Sequence, residues 1–253
     1  MPWTPDSIKS TLAGAFLARP SPARQPSDDV IIDSRAATPN CIFFALKGDR
    51  TDGHLYLKQA SENGAAVLII HDSAALNPKH LPADVTVIQV QDTGQALMKL
   101  AAAHRKTLET TKVIAIGGSN GKTTVCKLLH SVLSRTLRGT ASPKSFNNAV
   151  GVPLTILAAK RTDQYLICEV GANAPGEISP LAQIVQPDIA VITSIGREHL
   201  EGFASLKGVI AEEAKLVGPL RPGGAAIINA DAPELLEVVR PIITSNASKA
   251  DAP

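Results

Sequence analysis

Residues 112–133 constrain the fold more than any other stretch. KVIAIGG is an apolar run that ends in two glycines, and KTTVCKLLHSVL, close behind it, has amphipathic helical spacing. A buried strand turning tightly into a helix is a building unit of parallel α/β sheets. The turn between them, GGSNGKTT, offers backbone N–H groups at a helix N-terminus, which attract phosphate oxygens, and Lys122 adds a positive charge. Thr123 is placed to ligate Mg²⁺. The spacing departs from the general phosphate-loop pattern G-x-x-x-x-G-K-[ST], because Ile116 stands where its first glycine belongs. A glycine-rich turn that binds nothing is the alternative. G-K-T-T in a strand–loop–helix setting favours nucleotide binding.

The same alternation recurs along the chain, so the expected class is α/β. Strand-like runs at 30–33, 41–46, 66–70 and 85–90 make a first set, with a helix over 55–63 ending at Gly64. A connector helix over 94–108 leads to a boundary near 108–112. The expected domains are therefore a small N-terminal one over 1–108 and a mostly parallel one over 112–240. A polar tail over 241–253 is expected to fray. After the helix that starts at Lys122, QYLICEVGAN, PDIAVITSIG and GGAAIINAD are apolar runs ending in Gly, Asn or Asp. Ligands in such sheets gather at the carboxyl ends of strands, so the polar residues there are the candidates.

Composition narrows the partners. The 253 residues carry 25 basic and 23 acidic side chains, net +2, which gives no charge argument for nucleic acid. No apolar run reaches the length of a membrane span, and the first ten residues have no signal-peptide pattern, so a cytoplasmic protein is expected. The three cysteines, Cys41, Cys126 and Cys168, lack metal-ligand spacing and lie in apolar surroundings, as small buried residues of a reducing compartment would.

Three further groups stand out, two of them at strand ends. Glu169 follows the strand YLIC and is a natural Mg²⁺ ligand beside a phosphate loop; alone, it would read as a solvated turn residue. His199 follows DIAVITSI and either faces the same crevice or is an ordinary surface or core histidine. Asn147 and Asn148, before Gly151 and Pro153, suit orientation of a polar substrate or an Asn-rich turn, and spacing alone does not choose.

These pieces, in this order, resemble the Mur ligases, ATP-dependent amide-forming enzymes of bacterial cell-wall precursor synthesis. The family loop T-G-[ST]-[NS]-G-K-[ST] has the shortened spacing seen here, with Gly117 in place of its threonine. NNAVGVPLT, EVGANAPGEI and HLEGFASL resemble the branch that adds D-alanyl-D-alanine. The N-terminal run from DSRAATPN to GAAVLI resembles the family's uridine-nucleotide-binding domain. The match covers residues 30–232.

The resemblance implies roles. Gly118, Ser119, Asn120, Gly121, Lys122, Thr123 and Thr124 would hold ATP, with Lys122 on the β- and γ-phosphates and Asn229 near adenine. Thr123 and Glu169 would hold Mg²⁺, and His199 a second Mg²⁺. Lys122, Glu169 and His199 would form the catalytic set. Asn147 and Asn148 would face a UDP-muramoyl-peptide, while Ser34, Arg35, Asp52, Gly53 and His54 would help hold its uridine nucleotide. The implied reaction joins D-alanyl-D-alanine to UDP-N-acetylmuramoyl-tripeptide through an acyl phosphate, in a monomer. Alternatives are a sister ligase adding the third residue, a cyanophycin-synthetase-like protein, or a module that binds ATP and UDP-sugar peptide without catalysis.

Two departures stand beside the match. The family's carbamylated lysine lies fourteen residues after the histidine, and here that position is Glu213, with Lys215 nearby. Glu213 could supply directly the oxygens that the carbamate supplies to the metal. The family's C-terminal ligase domain is absent from the sequence, so a fragment inactive by itself is expected.

Overall fold

The computed structural model describes residues 3–49, 51–196, 203 and 205–250. Two compact units emerge, Met1–Ala103 and His104–Pro253. The division falls inside one helix, a few residues before the expected boundary at 108–112.

The first unit contains α1 (Pro5–Leu12), β1 (Ala15–Ala18), β2 (Val30–Ile31), β3 (Ile42–Phe44), α2 (Leu57–Glu62), β4 (Val67–Ile70), β5 (Thr86–Gln89) and most of α3 (Thr93–Lys106). Its sheet runs β1-β5-β4-β3-β2. All neighbours pair in parallel except β1, which lies antiparallel on β5. The residues of β4 are all buried, as a central parallel strand with both faces covered requires. Each such Val, Leu or Ile contributes roughly 1.5–3 kcal/mol of burial. α1 and β1 are absent from the sequence reading. Only four residues long, β1 takes its place from β5, whose edge it covers. α1 is fixed locally, by reciprocal hydrogen bonds between Thr4 and Ser7 at its start.

The second unit contains β6 (Lys112–Gly117), α4 (Lys122–Leu133), β7 (Gly139–Ala141), α5 (Gly151–Ala158), β8 (Tyr165–Glu169), α6 (Ile178–Val185), β9 (Ile189–Ile192), α7 (Leu206–Glu213), β10 (Ala225–Ile228) and α8 (Pro233–Ala250). Its sheet is wholly parallel, in the order β10-β9-β6-β8-β7. From β6 the chain moves toward β7, and from β9 toward β10. Strand order therefore reverses between β6 and β9, and a crevice opens there at the carboxyl ends.

The structure corrects one expectation. Where a frayed tail is expected from residue 241, α8 continues to Ala250, with Pro241 inside it. Leu235 and Val239, one turn apart, are buried and anchor the helix, which local polarity could not reveal. Among the described residues, no helix is long and apolar enough to cross a membrane.

Candidate nucleotide and substrate sites

The phosphate-loop segment leaves β6 at the reversal point. Gly118 adopts φ +110 and Gly121 φ +88, so the turn uses glycine's access to positive φ twice. Gly121 precedes α4, whose N-terminus has no side-chain cap. An uncapped helix start beside Lys122 can receive an anion. Lys122 Nζ donates to the carbonyl oxygens of Gly118 (2.6 Å) and Ser119 (3.0 Å), bracing the turn from within. Thr123 and Thr124 follow in the first turn of α4.

The loop rests on the residues after β9. Thr193 Oγ1 donates to Asn120 O at 2.6 Å, and Ser119 N donates to Ser194 O at 2.7 Å. Asn120 N donates to Ser194 Oγ, and Gly196 N to Ser119 Oγ at 2.8 Å. Thr193, Ser194 and Gly196 were not singled out in the sequence. Their signal was TSIG at a strand end, which becomes a support only when β9 lies beside β6.

Glu169 closes β8 and is buried, 1% exposed. Its N–H donates to Ser142 Oγ at 2.9 Å. Asn147 Nδ2 donates to Glu169 Oε1 at 2.9 Å, and Gly171 N donates to Asn147 O at 2.9 Å. A Cβ on Gly171 would lie 3.2 Å from Asn147 Nδ2 and 3.4 Å from Lys122 Cε, so these side chains border one point. Among the described residues, Glu169 Oε2 is buried without a partner. A buried carboxylate oxygen left without a donor costs free energy unless a ligand completes it. A carboxylate oxygen of this kind suits Mg²⁺, which takes one or two protein oxygens and completes its shell with water and phosphate. Among the described residues, no group of three His, Cys, Asp or Glu forms a metal cluster.

The remaining candidates separate. Asn148 Oδ1 accepts from Val150 N (3.1 Å) and Gly151 N (2.9 Å), so Asn148 shapes the entry to α5 while Asn147 reaches Glu169. Asn229 follows β10, and its Oδ1 accepts from Asp231 N at 3.0 Å. His199 lies outside the described residues. Glu213, 6% exposed, accepts from Gly118 N through Oε2 at 2.7 Å. Burial pushes its carboxyl up to about 7, against the opposing pull of the Gly118 N–H and the Lys122 charge.

In the first unit, the uridine-site candidates follow the adjacent parallel strands β2 and β3. Ser34 Oγ donates to Gln59 Oε1 at 2.7 Å, and exposed Arg35 pairs with Asp33 at 2.7 Å. The Arg35 guanidinium and N–H lower the Asp33 carboxyl to about 2. Gly53 packs so closely that a Cβ would lie 2.8 Å from Ala45 Cα. His54 is buried; its Nδ1 lies 2.6 Å from Asp52 Oδ1, and its Nε2 accepts from the N–H groups of His71 (3.1 Å) and Asp72 (3.3 Å). Nε2 thus holds the residues just after β4, while Nδ1 is engaged by Asp52.

Comparison with known proteins fits this arrangement. The Mur ligase middle domain matches residues 116–250, and the Mur ligase family, catalytic domain, matches residues 28–105. The UDP-N-acetylmuramoyl-tripeptide--D-alanyl-D-alanine ligase of Bacillus subtilis is 37% identical over 219 residues, 87% of this chain and 47% of that protein. A crystal structure of MurF from Acinetobacter baumannii superposes with TM-score 0.80 at 32% identity, covering 95% of this chain and 52% of the other. MurF ligase from Thermotoga maritima in complex with ADP superposes with TM-score 0.73 at 28% identity, covering 85% and 48%. The chain spans about half the length of these relatives. With its middle-domain match extending over more than half of its residues, the chain belongs to the Mur ligase family.

Proposed function

We propose that the chain carries the nucleotide-binding and substrate-binding parts of an ATP-dependent ligase that joins D-alanyl-D-alanine to UDP-N-acetylmuramoyl-tripeptide in peptidoglycan precursor synthesis. The observation that carries this reading is the meeting of Lys122 and Asn147 beside Gly171, with Asn147 bonded to the buried Glu169, at the carboxyl ends of the adjacent parallel strands β6 and β8.

A carboxylate is a poor acyl donor. In the proposed reaction, the terminal carboxylate oxygen of the peptide attacks the γ-phosphorus of ATP and ADP leaves. The amine of the dipeptide attacks the acyl phosphate, phosphate leaves, and the amine gives up a proton as the amide forms. Lys122 supplies positive charge where the transferring phosphoryl group gathers negative charge. Gly121 and the uncapped first turn of α4 present N–H groups to the phosphates. Thr123 and Glu169 would hold Mg²⁺, with His199 at a second ion; bound there, Mg²⁺ neutralises phosphate charge. Asn147 fixes Glu169 and faces the substrate. Asn229 serves adenine, and the segments holding Ser34, Arg35 and Asp52–His54 serve the uridine nucleotide.

Calorimetry tests this. The chain is expected to bind ADP and ATP, and Lys122→Ala to weaken both at least tenfold. It is also expected to bind UDP-N-acetylmuramoyl-tripeptide at least tenfold more tightly than the dipeptide form. An absence of nucleotide binding sinks the reading, and a dipeptide preference points to addition of the third residue.

A further inference from the structure

Two adjacent carboxylates at the end of α7 reach in different directions. Glu213 Oε2 accepts from Gly118 N at 2.7 Å, in the phosphate-loop turn. Glu212 accepts from Gly176 N through Oε2 at 2.9 Å and from Ile178 N through Oε1 at 2.8 Å, in the connection after β8. Lys215 Nζ donates to Glu212 Oε2 at 2.6 Å and balances its charge. Burial opposes ionisation of Glu212, yet Lys215 and the two N–H groups outweigh it and hold the carboxyl below its ordinary range.

The first contact has a built space. A Cβ at Gly117 would lie 2.8 Å from Glu213 Oε2 and 2.8 Å from Leu216 Cδ2. Glycine at 117 and glutamate at 213, two positions that differ from the family motifs, are therefore one packing unit. With a side chain at 117, the Glu213 carboxylate could not sit where it does.

We propose that Glu212 and Glu213 are positioning residues, with Glu213 holding the phosphate loop through Gly118 and Glu212 holding the connection that follows Glu169. The end of α7 thereby sets the spacing between the loop for the phosphates and the strand end that carries Glu169. Glu213 acts on the backbone and not as a metal ligand. The proposal rests on the nucleotide-binding reading only for its effect on affinity; the bracing itself is independent of it.

The experiment combines hydrogen exchange with calorimetry on the 253-residue chain and its Glu213→Ala, Glu213→Gln and Glu212→Ala variants. Glutamine keeps an oxygen that can accept from Gly118 but is a much weaker Mg²⁺ ligand. Glu213→Ala is expected to speed exchange at Gly118 at least tenfold and weaken ADP at least tenfold, in EDTA as in Mg²⁺. Glu213→Gln is expected to stay within about threefold of the parent in both. Glu212→Ala is expected to speed exchange at Gly176 and Ile178. Unchanged exchange at Gly118 in Glu213→Ala overturns the proposal. So does a loss shared by Glu213→Gln and Glu213→Ala that is confined to Mg²⁺, because that is the signature of coordination. If the parent binds no ADP, the nucleotide reading falls while the exchange measurements still decide the bracing.

Discussion

Asn147 donates to one oxygen of Glu169 across 2.9 Å, and the other, Oε2, is buried with no partner among the described residues. The hydrogen bond thus orients the carboxylate from one side.

Glu169→Gln keeps the shape and an oxygen for Asn147 while removing the charge. Because it removes a charge that is only half compensated, it is expected to raise stability without ligand by about 1 kcal/mol. The increase in ADP affinity that Mg²⁺ produces should fall at least tenfold. Thermal melts and calorimetry with and without Mg²⁺ check both. An unchanged Mg²⁺ effect removes Glu169 from the metal site.

Two glycines at positive φ should respond differently to alanine. At Gly118 (φ +110), a Cβ would lie 2.5 Å from Thr193 Oγ1 and 2.8 Å from Ser194 O, so the loop must leave its support. Gly118→Ala is expected to cost at least ~2 kcal/mol and to abolish nucleotide binding. Gly176 (φ +95) has nothing within 4 Å of a Cβ, so Gly176→Ala bears only backbone strain, about 1–2 kcal/mol. Denaturant melts compare the two, and equal losses would contradict the steric account.

His54→Ala takes the shared acceptor from the N–H groups of His71 and Asp72 and the ring from Asp52. A loss of ~2–4 kcal/mol is expected in the first unit, read by its unfolding midpoint. The Asp52 carboxyl is held below its ordinary range, chiefly by the His54 N–H. Its contribution should be present above pH 3.8, the unfolded value, and fade as pH falls through the lowered folded value.

The three thiols are buried, and the native chain should resist a thiol reagent at neutral pH, with all three reacting after denaturation. Burial, aided by the Glu169 charge, pushes Cys126 up to about 11 from 9.0. The folded form keeps its proton after the unfolded form has lost it. Stability should therefore fall as pH rises from about 9 toward 11, a trend Cys126→Ala should flatten.

The parallel α/β class, the β6–loop–α4 unit and the family are legible in the chain's apolar runs, glycines and short motifs, because these are local signals. The same signals mark Glu169 and Asn147 without pairing them, since 22 residues separate them and only the adjacency of strand end and loop makes a hydrogen bond. Asn148 has the same residue type one step along and turns to α5 instead, a distinction of side-chain direction that no spacing carries. The supports at Thr193 and Ser194, the short strand β1 and the buried anchors of α8 depend on contacts with distant parts of the chain. Glu213 shows the division most plainly. Counting residues marked it as a substitution, while tertiary packing put its carboxylate on Gly118 N–H, in the space that glycine at 117 leaves.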